Sequence, residues 1–206
     1  ARRPVFLDAN ASDGLAPVAR HFLGGLQRHA PALALLYLPN VNSFKRFAGE
    51  SFAPRVNAWG IDNKTCAWRV VNRNPALARI ECRLPGADAH PHLALAATLA
   101  AGRDGIANSL QPMPAVVGDA ATSPRVGEAF PATFEDAIAR WRASAFAHQT
   151  FGAEFVEAFA ETRDWQLAAL RATVTDWGVS RFGELRQVQL DGLAVVTVVP
   201  PIVPFR

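Results

Sequence analysis

Cysteine is nearly absent from this 206-residue chain: Cys66 and Cys82 are the only two. Two thiols build neither a disulfide scaffold nor a zinc site, and their scarcity fits a reducing compartment. No run of about 18 uninterrupted apolar residues occurs, so the sequence offers no transmembrane helix and no membrane role. No signal-peptide pattern opens the chain either, and a cytoplasmic location is expected. Blocks of like charge are also missing. The 21 Lys and Arg against 18 Asp and Glu leave a net charge of +3, which points away from nucleic acid. Lysine is as scarce as cysteine: only Lys45 and Lys64 occur, and every other cationic side chain among the 21 is arginine. Arginine offers a rigid, permanently charged fork suited to phosphate and carboxylate, although a G+C-rich coding sequence produces the same bias. The sequence has no Ser-centred nucleophile elbow, no Walker-type phosphate loop and no dinucleotide fingerprint. Any site must therefore be assembled from side chains on strands and loops.

What is present is a globular composition. Half of the residues are hydrophobic and 19% are charged, which excludes intrinsic disorder. The length suits one or two domains and supports a core without covalent staples. The chain opens at Ala1 and runs directly into Pro4-Val5-Phe6-Leu7, and it reads as a piece of something longer. Leu15, Val18, Ala19, Phe22, Leu23 and Leu26 recur at helical spacing after Ser12-Asp13-Gly14. Residues 40–54 have loop chemistry and carry Lys45, Arg46 and Glu50. Residues 91–106 are rich in Ala and Leu on nearly every side, which predicts a buried helix. Residues 107–131 form a long Pro/Gly/Ala connection. Phe134, Ile138, Trp141 and Ala145 define a further helix face, and one last helix is expected over about 151–177. The apolar stretch at 193–200 is β-prone and reads either as an edge strand or as a sticky end.

A strand pair carries the chemistry. Residues 65–71 and 78–84 flank a turn rich in Asn, Arg and Pro. Alternation puts Cys66, Trp68 and Val70 on one face of the first strand and Arg69 on the other. On the second strand Ile80, Cys82 and Leu84 share the apolar face, opposite Arg79, Glu81 and Arg83. If the strands pair, three guanidiniums and one carboxylate share a polar face. Such a face suits phosphate or carboxylate oxygens, with Glu81 able to hold Mg²⁺, or it is an ordinary solvated face of Arg–Glu pairs. The Lys45-Arg46 loop reads either as an anion clamp or as plain surface. His90 and His92 have no further ligand at metal spacing.

The ordered series Asn42-Ser-Phe-Lys-Arg-Phe47, Ala53-Pro54, Trp59-Gly60, Asp62-Asn-Lys64, Arg69, Arg79-Ile-Glu-Cys-Arg83, Pro85-Gly-Ala-Asp-Ala-His-Pro91 and Ala101-Gly-Arg-Asp-Gly-Ile106 resembles the glutamine synthetase family. The resemblance covers roughly residues 1–185, the later part of that family's catalytic domain, and leaves 186–206 as an unmatched tail. It implies an α+β fold, an antiparallel sheet covered by helices, of the glutamine synthetase/guanido kinase-like type. It also implies an ATP-dependent ligase that phosphorylates the γ-carboxylate of glutamate and lets an amine displace the phosphate. By position, Arg46 resembles the arginine that holds glutamate, and Arg83 a second arginine serving glutamate and the moving phosphate. Arg69 and Arg79 resemble those facing the ATP phosphates, and Glu81 resembles a ligand of Mg²⁺ (or Mn²⁺). Lys64 stands where the family usually has Arg. Phe52 stands before Ala53-Pro54, where ammonia-using members carry the Glu of the flap. An aromatic there implies an amine larger than ammonia, such as a polyamine, ethanolamine or an aromatic amine. The family's N-terminal β-grasp domain, its Glu-x-Glu strand and its His-bearing metal motif have no counterpart here. The resemblance thus implies a chain inactive or nearly so alone, drawn from a parent family of homo-oligomeric rings. A non-catalytic relative serving as an anion-binding or assembly module is the alternative.

Overall fold

The computed structural model describes residues 5–47, 53–124 and 126–182, together with the backbone of 185–190 and 193–198. The chain divides into two compact units, Ala1–Leu167 and Ala168–Arg206.

In the first unit, helix α1 (Pro17–His29) begins on a proline at its first turn and carries Arg28 in its last, where the cation complements the helix dipole. Asp13 accepts the Leu15 amide at 3.0 Å and pairs with Arg20 at 2.5 Å, which fixes the entry into the helix. A single turn, α2 (Ala34–Tyr37), is wholly buried. Helix α3 (Pro91–Ala107) packs along α1.

The contact between α1 and α3 is glycine on glycine. A Cβ at Gly25 would strike the Ala101 carbonyl and stand 2.8 Å from the Gly105 Cα. Only hydrogen atoms fit there, so the two backbones meet directly. This geometry corrects the expectation of an α3 buried all round. Its Ala94, Ala97, Ala101, Gly102 and Gly105 are buried, while Leu95 and Leu99 are 61% and 60% exposed. The small residues turn inward because they permit close approach. A composition that is apolar on every side conceals that direction.

The sheet has three strands, β1 (Trp59–Ile61), β2 (Trp68–Val71) and β3 (Arg79–Cys82), in that order. The expected antiparallel pair is β2–β3, with Arg69 opposite Glu81 and Val71 opposite Arg79. The sheet is nevertheless mixed, since β1 joins β2 in parallel, Trp59 beside Trp68. Parallel strands usually need a crossover of a dozen or more residues. Here residues 62–67 suffice because each strand is very short and Asp62 takes a left-handed φ of 53°.

The long connection at 107–131 is anchored rather than loose. Val116 N–H donates to the Trp59 carbonyl at 2.9 Å, and Gly127 N–H donates to the Asn57 carbonyl at 2.8 Å. Buried Asn57 is satisfied on all sides. Its amide donates to Gln27 O at 2.7 Å and Glu128 O at 3.1 Å, and its side-chain oxygen accepts Trp68 Nε1–H at 3.0 Å.

Helix α4 (Phe134–Ala143) is capped by Thr133, whose hydroxyl accepts the Asp136 amide at 3.1 Å. Helices α5 (Ala145–Phe151), α6 (Ala153–Ala172) and α7 (Asp176–Phe182) replace the single helix expected over 151–177. Gly152, at φ 84°, separates α5 from α6. The β-branched run Thr173-Val174-Thr175 interrupts the helix again, and the Thr175 hydroxyl caps the Gly178 amide at 3.1 Å. Trp68, Trp141 and Tyr37 are the largest fully buried side chains of the core.

The second unit contains an antiparallel pair, β4 (Leu185–Leu190) and β5 (Leu193–Val198). Only β5 was expected, and it pairs with β4. The hairpin signal is Asp191-Gly192 between the two runs.

Gly25→Ala tests the glycine contact. The variant is expected to lower unfolding stability by about 1–3 kcal/mol through overpacking, measured by urea denaturation. An unchanged midpoint would show that the helices can separate at little cost.

Candidate active site

The polar face of the sheet gathers Arg69, Arg79 and Glu81. Arg69 extends from the central strand with its side chain 19% exposed. Its Nη2 donates to Asp62 Oδ1 at 2.6 Å, and its Nη1 donates to Glu81 Oε2 at 3.2 Å. Arg79 approaches the same Glu81 oxygen at 3.6 Å and donates from Nη1 to the Leu77 carbonyl at 3.0 Å. Arg73 closes on the other Asp62 oxygen at 3.1 Å from a largely exposed position. Two carboxylates thus alternate with three guanidiniums. The ordinary Arg–Glu pairing is present, and it coexists with half-exposed Arg79, whose side chain is 51% accessible.

Arg83 follows β3 with its amide donating to the Ala67 carbonyl at 2.9 Å. Burial pushes the Cys66 thiol up to about 11, against a hydrogen bond with Thr65 and the nearby charge of Arg83.

Arg46 stands on a 3₁₀ turn, Ser43–Phe47, and its Nη1 donates to the Leu84 carbonyl at 2.8 Å. That bond brings Arg46 to the end of β3, next to the backbone of Arg83. Lys64 is exposed beyond β1 and lines two clefts. One, of about 440 Å³, includes Ile61, Asp62, Asn63 and residues 115–118; the other, of about 220 Å³, includes Ala53, Pro54, Arg55, Thr65 and Asp119. Phe52 lies outside the described residues.

The structure therefore brings Arg69, Arg79 and Glu81 together, docks Arg46 at one end of β3 and leaves Lys64 at a neighbouring rim. A cavity of about 410 Å³ between α3 and α5 shares none of these residues.

Two residues were given no role from sequence. Asp62 is the strongest partner of Arg69, and Asp88 accepts the Ser43 hydroxyl at 2.6 Å. Both belong to the motifs quoted above, but Asp62 meets its partner across a short crossover and Asp88 meets Ser43 45 residues away, and periodicity encodes neither.

Phosphate and metal differ in how they fit. Both Nη groups of Arg69 are engaged by carboxylates, and its Nε is buried. Half-exposed Arg79 offers donors that an anion can reach. A divalent metal fits poorly. Among the described residues no group of three His, Cys, Asp or Glu side chains can hold an ion, and Glu81 is committed to two arginines.

An α+β scaffold with helices over a small mixed sheet, an arginine-rich face and a Pro-Gly loop leading into a small-residue helix defines the class, a glutamine synthetase-type catalytic domain. Residues 1–182 match the glutamine synthetase catalytic domain, and the chain belongs to that family. It is 37% identical over 180 residues to a glutamate–isopropylamine ligase of Pseudomonas sp., covering 87% of this chain and 39% of that protein. It is 42% identical over 168 residues to a γ-glutamylethanolamide synthetase of Streptomyces coelicolor, covering 82% and 36%. Among solved structures it resembles GmaS without ligand and a GmaS/ADP complex. Each has TM-score 0.73 and 31% identity, covering 85% of this chain and 40% and 41% of those chains. The chain thus spans about two fifths of the length of these relatives. No described helix is long and apolar enough to cross a membrane.

A pH test follows from Asp62. The hydrogen bond from Arg69, outweighing burial and aided by the charges of Arg69, Arg73 and Lys64, holds its carboxyl below the usual carboxylate range. The folded value lies below the unfolded one. Its stabilisation is thus complete above about pH 4 and fades as pH falls through the folded value. Asp62→Asn should lower the urea midpoint at pH 7, with the gap to wild type closing towards pH 2. A gap that persists undiminished in acid would contradict this pairing.

Proposed function

We propose that this chain supplies the glutamate- and phosphate-binding part of an ATP-dependent glutamate–amine ligase acting in the cytoplasm. The observation that carries the reading is the convergence of Arg69, Arg79 and Glu81 on one sheet face, with Arg46 docked at the end of the same strand. Residues 1–185 form the catalytic part, and 186–206 form a tail outside it.

In this reading Arg46 and Arg83 take the carboxylates of glutamate, with Arg83 also facing the transferred phosphate. Arg69 and Arg79 hold the ATP phosphates, and Lys64 contributes a point charge at the rim. ATP supplies the phosphoryl group that activates the γ-carboxylate. Fixed guanidiniums neutralise the charge that spreads over that group as it moves, at no reorganisation cost. Glu81 keeps the arginines apart and aligned. Any divalent metal would draw its other ligands from outside the described residues, in an oligomer of the parent type.

The amine is larger than ammonia. Phe52 before Ala53-Pro54 cannot take a proton from ammonium, and an apolar ring favours an amine with a carbon chain. The names of the isopropylamine and ethanolamine ligases support this. A binding or assembly module is the second reading, favoured by the mutual neutralisation of Arg69, Asp62 and Glu81.

Two measurements decide. Calorimetric titration of the chain with ADP should give binding that Arg69→Ala and Arg79→Ala each weaken by about tenfold. Wild-type affinity in both variants would remove the phosphate assignment. Residues 1–182 grafted as the end of the ethanolamide synthetase should release ADP with glutamate and ethanolamine or putrescine faster than with ammonium. A preference for ammonium would overturn the amine assignment, and a folded graft inactive with every amine would favour the module.

A further inference from the structure

We propose that Asp88 is the positioning residue that sets Arg46 against the end of β3, an inference that rests on reading Arg46 as a glutamate-binding arginine. The loop that carries Arg46 is held by two backbone turn bonds, by Val41, Phe44 and Phe47 against the core, and by polar bonds to Asp88. It leaves α2 through Pro39, turns at residues 40–43 and continues into the 3₁₀ turn. Its one fully buried polar side chain is Ser43, at 0% exposure. The Ser43 hydroxyl does not point into solvent or back to its own turn alone. It donates to Asp88 Oδ2 at 2.6 Å while accepting the Asn40 amide at 3.0 Å. The Asn40 side chain adds two donations at 3.3 Å, to Asp88 Oδ2 and to the Asp88 carbonyl.

Asp88 is separated from Ser43 by 45 residues, so these bonds join two loops that the chain does not connect locally. Arg46 spans the same gap in the other direction through its bond to the Leu84 carbonyl. Between the two crossings lies Gly86. A Cβ there would stand 2.5 Å from Asp88 Oδ1 and 2.9 Å from Arg46 Nη1, so the carboxylate and the guanidinium close over the same bare backbone.

The electrostatics agree with the geometry. Burial would raise the Asp88 carboxyl, but hydrogen bonds from Ser43 and Asn40 and the charge of Arg46 outweigh it and hold the group below the usual carboxylate range. A hydroxyl donating to a carboxylate at this distance is a strong, charge-assisted bond, and it is aimed at the turn on which Arg46 stands. Asp88 acts through Ser43 and through its charge on Arg46.

The test uses the 206-residue chain labelled for NMR, with amide exchange read at Ser43 and Lys45 and side-chain order read at Arg46 Nε–H. Asp88→Ala and Ser43→Ala should each speed exchange at these amides by about tenfold and loosen Arg46. Asp88→Asn, which keeps an acceptor for the Ser43 hydroxyl, should stay within about threefold of wild type. Wild-type exchange and wild-type Arg46 order in Ser43→Ala and Asp88→Ala would overturn the proposal. If Asp88→Ala fails to fold, Ser43→Ala against Asp88→Asn still decides it. A glutamate titration runs in parallel and separates the two claims. If Arg46→Ala leaves glutamate-induced shifts unchanged, or wild type shows none, the role of Arg46 fails while the exchange data still judge Asp88. If Arg46→Ala abolishes the shifts and Asp88→Ala leaves exchange and shifts intact, the positioning role alone fails.

Discussion

Arg69 is the tie on which the polar face depends. It stands on the central strand, and its two Nη groups reach a carboxylate at the end of β1 and another on β3. One guanidinium therefore bridges all three strands on the face where their backbones are least protected by core. The position is only 19% exposed, so these charges are screened less than a surface pair would be. Removing either carboxylate leaves a partly desolvated cation with half its partners. Removing the cation leaves two acids facing each other across the sheet. The arrangement fixes direction more than it adds stability. Planar forks held on both sides cannot swing, and an anion approaching the face meets donors already aimed.

How the loops meet this face follows from helix packing. Gly25 and Gly105 let α1 and α3 touch backbone to backbone, which sets the height and angle of α3. Tyr37 on α2 and Thr98 on α3 bring their hydroxyls within 3.2 Å, so α2 is fixed against the same helix. The chain leaves α2 towards Asn40, and it enters α3 from Asp88. Both loops consequently emerge at one end of the helix pair, where Ser43 and Asp88 can join. The placement of Arg46 is thus a long-range consequence of small residues buried some way from it.

Much of the face was legible in the sequence because a strand has a strict period of two. Arg79 and Glu81 had to lie together, and Arg69 had to oppose Trp68 and Val70. The register of Arg69 on Glu81 then followed from the turn. Asp62 was not legible. It reaches Arg69 through a parallel pairing with a six-residue crossover and a left-handed residue, and neither leaves a periodic trace. The outward stripe of α3 was hidden for a different reason. Leu95 and Leu99 read as core by hydrophobicity, but close packing selects for small side chains, so the alanines and glycines won the interior. The break at 173–175 was visible as a β-branched run. It was overridden by the amphipathic pattern on either side, and the Thr175 cap decides it locally. The tail reads as an edge strand or a sticky end, and Asp191-Gly192 is the sequence signal for a partner strand.

The charge inventory of the face also limits what it can do unaided. Glu81 accepts from Arg69 and lies 3.6 Å from Arg79, and Asp62 accepts from Arg69 and Arg73. Each carboxylate therefore serves two cations. A divalent ion prefers several oxygen ligands at short distance, so it would compete with the ion pairs that hold the face together. A phosphate acts in the opposite sense. It brings acceptors that half-exposed Arg79 can meet while Glu81 keeps its bond from Arg69. The face thus sets three guanidiniums on two carboxylates around three short strands.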